Sequence, residues 1–340
     1  MKLLWITRGV NTHHTTLLHA LRSRGIDVVA CYFHGAYSAY RRNMGWRDRE
    51  LESWEHYATT WREIRRAVPD FAERTMLVAG YSDWMNWRTI LWCLMHRGKW
   101  FAMTEGTSGS WKSRPVFRLF CYLVNRFAIA AFPLGSRATQ QYCTFGVRSS
   151  KVIPFCYATL PPLSTSTSTS SPTFIYAGEF CRRKAVDIIA AAWKRLHADF
   201  PHARLIMAGG GGDVPLDDFL KSDGVEYVGA VRQEAIYDVI CRGHVMLLPS
   251  RYDPWGAALV EGAMAGLAMI GSDQTVAAVD LIKDGENGYL VHAGDVDSLC
   301  TAMCRYASNP SLAHIHGTAA RLAAQSTSGD VLAERMIGAL

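Results

Sequence analysis

Short, continuous apolar runs alternate with helix-patterned segments along the chain, and that alternation decides the fold class. In the first half Lys2 to Thr7 reads as a strand, Gly9 opens a loop, and His13 to Ser23 has helical spacing. Thr75 to Ala79 is the next strand, followed by Gly80 and a helical stretch ending near Gly98. Trp100 to Met103 is another, followed by the loop Glu105-Gly106-Thr107-Ser108-Gly109. In the second half Thr173 to Tyr176, Leu205 to Ala208, Val225 to Val228, Val245 to Leu248 and Leu267 to Ile270 read as strands, with Ala185 to His197 helical. Continuous apolar strands separated by helices indicate parallel sheets covered on both faces. The expected class is α/β, with two Rossmann-like doubly wound domains facing a cleft. Ligands of such sheets bind outside the carboxyl ends of the strands.

Ser164 to Ser171 is an alternating Ser/Thr run closed by Pro172, which cannot pack a core and reads as a linker. The expected layout is a first domain over 1–162, a Ser/Thr linker over 163–172, a second domain over 173–325, and a C-terminal helix over 326–340 able to return to the first domain. The charge changes sign at the same place. Residues 1–160 hold 22 Lys and Arg against 10 Asp and Glu, a net +12, and the remaining 14 and 20 leave −6 for the rest. Nine of the eleven tryptophans lie in the first half. Trp46, Trp54 and Trp61 sit among Arg41, Arg42, Arg47, Arg49, Arg62, Arg65 and Arg66. A basic half rich in Trp suits an anionic membrane surface or anionic partner. Equally, the indoles fill a core and the arginines solvate its outside.

Several classes are set aside. Arg8 cuts the first apolar run short, so it does not read as a signal peptide. The longest membrane candidate, Phe127 to Gly135, lies between Arg126 and Arg137 and falls well below the roughly 20 residues a span needs. Nine scattered cysteines without a Cys-x-x-Cys pair read as free thiols of a reducing cytoplasm. Gly209 to Gly212 does not match the dinucleotide fingerprint, because its third glycine would fall at Val214. No phosphate-binding loop with Gly-Lys-Ser/Thr occurs. Asp295-Val296-Asp297 reads as a helix cap, and His314 and His316 as surface residues rather than metal ligands.

Three segments of the second half carry chemistry together. Gly178-Glu179-Phe180-Cys181-Arg182-Arg183-Lys184 is a basic loop between a strand and a helix, where cations meet phosphate. Pro249-Ser250-Arg251-Tyr252-Asp253-Pro254-Trp255-Gly256 leads into the helix of Glu261, whose N-terminal amides suit an anion. Residues 280–291, with Asp284-Gly285-Glu286-Asn287-Gly288 at their centre, read as a turn-rich hairpin ending in a strand.

The order and spacing of these segments resemble retaining glycosyltransferases of family 4, which have the GT-B fold. The resemblance rests on two acidic residues eight positions apart, Asp253 and Glu261, followed by Ala263-Met264-Ala265-Gly266, with the basic loop before them and Asp-Gly-Glu-Asn-Gly after. It covers about residues 172–300, and extends to the first half only in strand order and in Gly135-Ser136-Arg137. It implies that Lys184 binds the donor diphosphate, that Glu261 accepts hydrogen bonds from the ribose, and that Asp253 lies near the transferred sugar. Amides at Gly256 and Ala257 hold the diphosphate, backbone near Val231 and Arg232 meets the nucleobase, and Gly9 marks a first-domain loop over the phosphates. Gly178 belongs to the basic loop. Two departures stand out: Asp253 occupies a position that is usually Glu, and Glu179 one that is usually Arg, for which Arg182 or Arg183 substitutes.

The expected activity is retaining, metal-independent transfer of a sugar from a nucleotide sugar to an acceptor hydroxyl, extending to a lipid-linked or cell-surface glycan precursor. The first domain would bind the acceptor, with Glu105 as the acceptor-side candidate. The departing diphosphate can itself take the acceptor proton, so no dedicated base is required. No cofactor, no metal and no nucleic-acid partner are expected. The expected location is cytoplasmic, extending to the inner face of the membrane. A nucleotide-sugar epimerase of the same architecture and a non-catalytic nucleotide-sugar-binding relative are the alternatives.

Overall fold

A computed structural model describes residues 1–34, 50–107, 113–162 and 172–339. Arg41, Arg42, Trp46, Arg47, Arg49, Ser108, Gly109 and the run Ser164 to Ser171 lie outside the described residues. The described residues form two units. One comprises the chain up to Ala158 together with Gly329 onward, and the other runs from Thr159 to Ser328.

The first unit is built on β1 (Lys2–Thr7), β2 (Asp27–Tyr32), β3 (Glu55–Tyr57), β4 (Thr75–Ala79), β5 (Trp100–Thr104) and β6 (Ala131–Pro133). These pair in the order β3-β2-β1-β4-β5-β6, every neighbour parallel. The strand sequences explain their burial. Leu3 and Trp5 enter one core and Leu4 and Ile6 enter the other, so β1 must be apolar at every position. On the Leu3–Trp5 face lie α1 (Thr12–Ser23) and the C-terminal helix Gly329–Ile337, through Leu17, Leu21, Leu332 and Met336. Arg24 reaches Asp330 at 2.6 Å and Glu334 at 3.1 Å, tying the end of the chain to α1. On the opposite face lie α2 (Trp61–Ala67), α3 (Trp84–His96) and α4 (Ser113–Phe127), through Ile64, Ile90, Phe117 and Phe120. A further helix, α5 (Ser136–Thr144), follows β6.

The second unit repeats the plan with β7 (Thr173–Glu179), β8 (Arg204–Gly210), β9 (Val225–Gly229), β10 (Val245–Leu248), β11 (Ala268–Ser272) and β12 (Gly288–Val291), ordered β12-β11-β10-β7-β8-β9 and parallel throughout. Its helices are α6 (Val186–Asp199), α7 (Ile236–Ile240), α8 (Ala257–Met264), α9 (Val276–Leu281), α10 (Val296–Ser308) and α11 (Pro310–Ala324); the C-terminal helix is α12. In both units the strand order reverses beside the first strand, between β1 and β4 and between β7 and β10. Crevices open at such reversals, outside the carboxyl ends.

Local sequence sets several boundaries. Asn11 caps α1 by accepting from His13 N at 2.8 Å. Thr60 and Glu63 form a capping box on α2, and Pro310 opens α11 at a position that needs no amide. Asp295 caps α10, its Oδ1 accepting from Asp297 N at 2.8 Å and Ser298 N at 3.3 Å.

Two expectations are corrected. Residues 280–291 are not a hairpin: α9 ends at Leu281, a turn closes through Gly285 N to Gly288 O at 2.9 Å, and β12 runs parallel to β11. His316 is not a surface residue; it is 2% exposed and its Nδ1 shares a 2.8 Å hydrogen bond with the Tyr306 hydroxyl. The tryptophans also divide between two environments. Trp5, Trp54, Trp61 and Trp100 are buried, whereas Trp84 is 53% exposed.

Candidate active site

β7 ends in Gly178 and Glu179, and the chain turns through a short 3-10 segment, Arg182–Lys184, before α6. Gly209 and Gly212 make this turn possible. A Cβ on Gly209 would lie 1.8 Å from Gly178 O, and one on Gly212 would lie 2.3 Å from Phe180 O. The end of β8 therefore passes the turn at a distance only glycine allows. Arg182 N donates to Asp213 Oδ1 at 2.8 Å. Ala185 follows Lys184 with φ +59°, a left-handed conformation costly for a residue with a Cβ. Strain of this kind at the root of α6 fixes where Lys184 departs from the main chain.

From there Lys184 Nζ forms an ion pair with Asp253 Oδ2. Asp253 is 5% exposed and lies in the loop after β10, the neighbour of β7 at the strand reversal. Its backbone is held as a bridge to Thr275, with Asp253 N donating to Gln274 O at 3.0 Å, and its Oδ1 accepts from Trp255 N at 3.3 Å. The carboxylate is thus fixed from both sides. Arg251 braces the same two loops, donating to both Asp187 oxygens at 2.7 Å and to Arg182 O at 2.8 Å. The Arg251 hydrogen bonds hold the Asp187 carboxyl below its ordinary range. Arg183 donates to Tyr252 O at 3.2 Å. Lys184, Arg182, Arg183 and Asp253 are therefore gathered at one place, and Gly178 lies at the strand end beneath them.

The loop after Asp253 enters α8 through Gly256, whose φ of +105° and a Cβ position 2.5 Å from Thr275 Cγ2 both require glycine. Ala257 is the first residue of α8, so its amide belongs to the helix N-terminus, where an anion is favoured. Glu261 lies one turn further and is half-buried. Its charge adds to burial, the larger cause, in pushing the Tyr237 phenol above its ordinary pKa. Tyr237 in turn donates to Leu160 O. Val231 and Arg232 stand after β9, the edge strand of the sheet, Val231 half-buried and Arg232 exposed.

Gly9 and Glu105 belong to the first unit. Gly9 follows β1; among the described residues a Cβ there would meet His34 O at 3.9 Å, an ordinary contact. Glu105 follows β5 and accepts a hydrogen bond from the Tyr157 hydroxyl at 2.7 Å. Both glutamate and tyrosine line a cavity of about 260 Å³ at the carboxyl ends of β1, β4 and β5, with Thr7, His14, Ser82 and Thr104. The His14 ring lies 4.9 Å from that of Trp5, tilted by 42°, and its Nδ1 is sealed from solvent with no hydrogen-bond partner among the described residues. Burial, with a smaller effect of His13, pushes His14 down to about 3, so it is neutral at pH 7. Among the described residues, no three His, Cys, Asp or Glu side chains cluster as a metal site.

Sequence reasoning missed the Arg251–Asp187 brace, Tyr237, His14 and Tyr157. Arg251 stood inside a motif already singled out, and its cationic side chain was the available signal. No local pattern announces Tyr157, which meets Glu105 from 52 residues away.

The family described as "Glycosyl transferases group 1" matches residues 171–309, a span containing Lys184, Asp253 and Glu261. The chain is 33% identical over 103 residues to the phosphatidylinositol N-acetylglucosaminyltransferase gpi3 subunit of Schizosaccharomyces pombe, covering 29% of this chain and 23% of that protein. It is 23% identical over 155 residues to the UDP-N-acetylglucosamine–peptide N-acetylglucosaminyltransferase GtfA subunit of Streptococcus pneumoniae, covering 45% and 31%. The chain thus spans less than a third of the length of these two curated relatives. Among solved structures, Anabaena Alr3699/HepE in complex with UDP and glucose superposes with a TM-score of 0.73 at 14% identity, over 99% of this chain and 98% of that one. The lipopolysaccharide outer core galactosyltransferase WaaB superposes with 0.69 at 16% identity, over 100% and 99%. Residues 171–309 are a group 1 glycosyltransferase domain, carried by a chain with the GT-B fold.

Proposed function

We propose that this protein transfers a sugar from a nucleotide-sugar donor to an acceptor hydroxyl, with retention of anomeric configuration and without a metal ion. The observation that carries the proposal is the cluster of Lys184, Asp253 and the α8 N-terminus, flanking the β7/β10 reversal inside the matched domain. Charge develops on the diphosphate as the anomeric carbon–oxygen bond breaks. Lys184, Arg183 and the amides at Gly256 and Ala257 are held in place before reaction, with Arg182 beside them, which is how preorganised groups lower such a barrier. The acceptor oxygen forms the new bond on the same face, and its proton passes to the departing diphosphate. Glu261 holds the ribose, Val231 and Arg232 meet the base, Gly9 closes over the phosphates, and the first unit takes the acceptor in the pocket of Glu105. The acceptor class includes lipid-linked and cell-surface glycan precursors, and the enzyme works in the cytoplasm, peripheral to the inner face of a membrane.

A thermal-shift screen against uridine, guanosine and adenosine diphosphates and their sugars is the first test, since a ligand of the folded state raises Tm. The complex of Alr3699/HepE with UDP makes the uridine arm the first one to run. Acceptor-dependent transfer is expected to follow. Release of an epimerised sugar with no transfer to an added acceptor indicates an epimerase, and donor binding with neither transfer nor slow donor hydrolysis indicates a non-catalytic relative; either outcome overturns the proposal.

A further inference from the structure

The outer sides of α3 and α4 carry a surface unlike the rest of the first unit. Both helices cover the same face of the sheet, and Trp87 of α3 meets Phe120 of α4 with ring centres 6.4 Å apart. Their inner sides are ordinary core. Their outer sides should be polar if water were their only neighbour. Instead Trp84, Arg88, Leu91 and Met95 form an exposed stripe along α3, at the four- and three-residue steps of one helix face. Leu91 is 54% exposed and Met95 64%. On α4, Leu119 (52%) and Tyr122 (62%) stand outward with Phe127, among the exposed Arg114, Arg118 and Arg126.

Of the eighteen exposed large apolar side chains among the described residues, seven lie on these two helices, which supply 13 and 15 residues. That concentration separates the face from the single apolar residues scattered over any surface. Neither helix contains an aspartate or glutamate, whereas together they present four arginines. Beside the α3 stripe, Trp61, Trp87 and Trp92 line a groove of about 490 Å³ with Leu91 and Met95.

We propose that α3 and α4 form the face on which this protein lies on an anionic lipid bilayer. Leucine, methionine and aromatic tips enter the boundary between headgroups and acyl chains, while the arginines bury their stems and carry their guanidinium groups to lipid phosphates. Indoles, apolar in body and polar at one edge, suit the same depth. The absence of carboxylates from both helices matches a negatively charged partner. This deepens the membrane part of the proposed function and rests on that part alone.

The test uses the full chain, sedimented with phosphatidylcholine vesicles with and without phosphatidylglycerol, at low and high salt. Leu119→Asp/Tyr122→Asp removes apolar tips, Arg114→Glu/Arg118→Glu reverses charge, and Leu322→Asp, at a 63%-exposed position of the second unit, is the control. The wild type and control are expected in the pellet only with phosphatidylglycerol, and released by salt. Both double variants are expected to partition on the order of tenfold less, with unchanged Tm and an unchanged thermal shift in UDP. Double variants that bind like wild type overturn this face but leave membrane association standing. A wild type absent from every pellet overturns both, while the shift in UDP reports separately on the donor site. Dimerisation in vesicle-free solution, lost in the same variants, assigns the face to a second copy and also overturns the proposal.

Discussion

Lys184 and Asp253 close an ion pair between the turn after β7 and the loop after β10, with side-chain exposures of 17% and 7%. The cation proposed to meet the donor diphosphate is therefore already engaged by Asp253, the first acidic residue of the motif. A donor must share Lys184 with Asp253 or displace it. The two residues then have opposite effects on binding. Lys184→Met removes the cation and leaves Asp253 buried without its partner, so UDP affinity and kcat/KM both fall, kcat/KM by about a hundredfold or more. The fold loses about 1–3 kcal/mol from the stranded carboxylate. Asp253→Asn frees Lys184, so UDP binds at least as tightly while kcat falls. Calorimetric titration with UDP beside steady-state kinetics separates the two. Loss of UDP binding in Asp253→Asn would remove the competition.

Glu261 sits one turn into α8, half-buried and close enough to Tyr237 to influence its phenol. Charge-assisted hydrogen bonds to ribose hydroxyls contribute roughly 1.5–3 kcal/mol each. Glu261→Ala is therefore expected to lower kcat/KM on the order of a hundredfold while leaving the melting temperature near that of the wild type. Wild-type turnover by the Ala variant would take Glu261 out of the site.

How far the sequence anticipated these features depends on how locally each was encoded. β1, β4 and β10 have the bounds expected from their apolar runs. A strand buried on both faces cannot hide its composition. β3 and β6, with three residues each, are too short to show a period. Turn residues suggested a hairpin at 280–291, but they do not encode that the segment before the turn is the end of α9, or that β12 pairs in parallel with β11 across that helix. The basic motif lies within one loop and the acidic one within a single loop-to-helix segment, so both could be read directly. Their partners could not. Arg251 finds Asp187 64 residues away because β7 and β10 are neighbours, a fact of sheet order rather than of either loop. His316 was misplaced for a similar reason. Which side of α11 is buried is set by its packing against β11 and α8, with Tyr306 beside His316, not by its own alternation of His, Ile and Gly.

The proposed diphosphate site offers cations and amides, and among the described residues no three His, Cys, Asp or Glu side chains cluster there. A chelator is therefore expected to leave transfer activity nearly unchanged, because the charge a metal would neutralise is already met by Lys184, the neighbouring arginines and the α8 N-terminus. Initial rates with and without EDTA decide it. Loss of activity restored by magnesium or manganese would contradict metal independence.

His14 links the first unit's pocket to the pH dependence of folding. Its ring packs against Trp5, and 5.9 Å from Tyr157, with Nδ1 shut off from water. Burial, followed by the nearby His13, brings it from an ordinary 6.5 to about 3. Below pH 6.5 the unfolded chain takes up a proton that the folded chain refuses, so protons favour unfolding. The stability contribution is present in full above about pH 6.5 and is lost as pH falls toward 3, with a limiting slope of about 1.4 kcal/mol per pH unit. His316, lowered by its own burial, acts with the same sign, so the wild-type slope alone does not isolate His14. His14→Phe keeps an aromatic ring and removes the titration. Urea unfolding of both proteins between about pH 7 and pH 5 is expected to show a flatter profile for the variant, the difference widening as pH falls. Parallel profiles would mean that His14 gains its proton in the folded state as readily as in the unfolded one, and that its pocket is wetter than its packing against Trp5 implies.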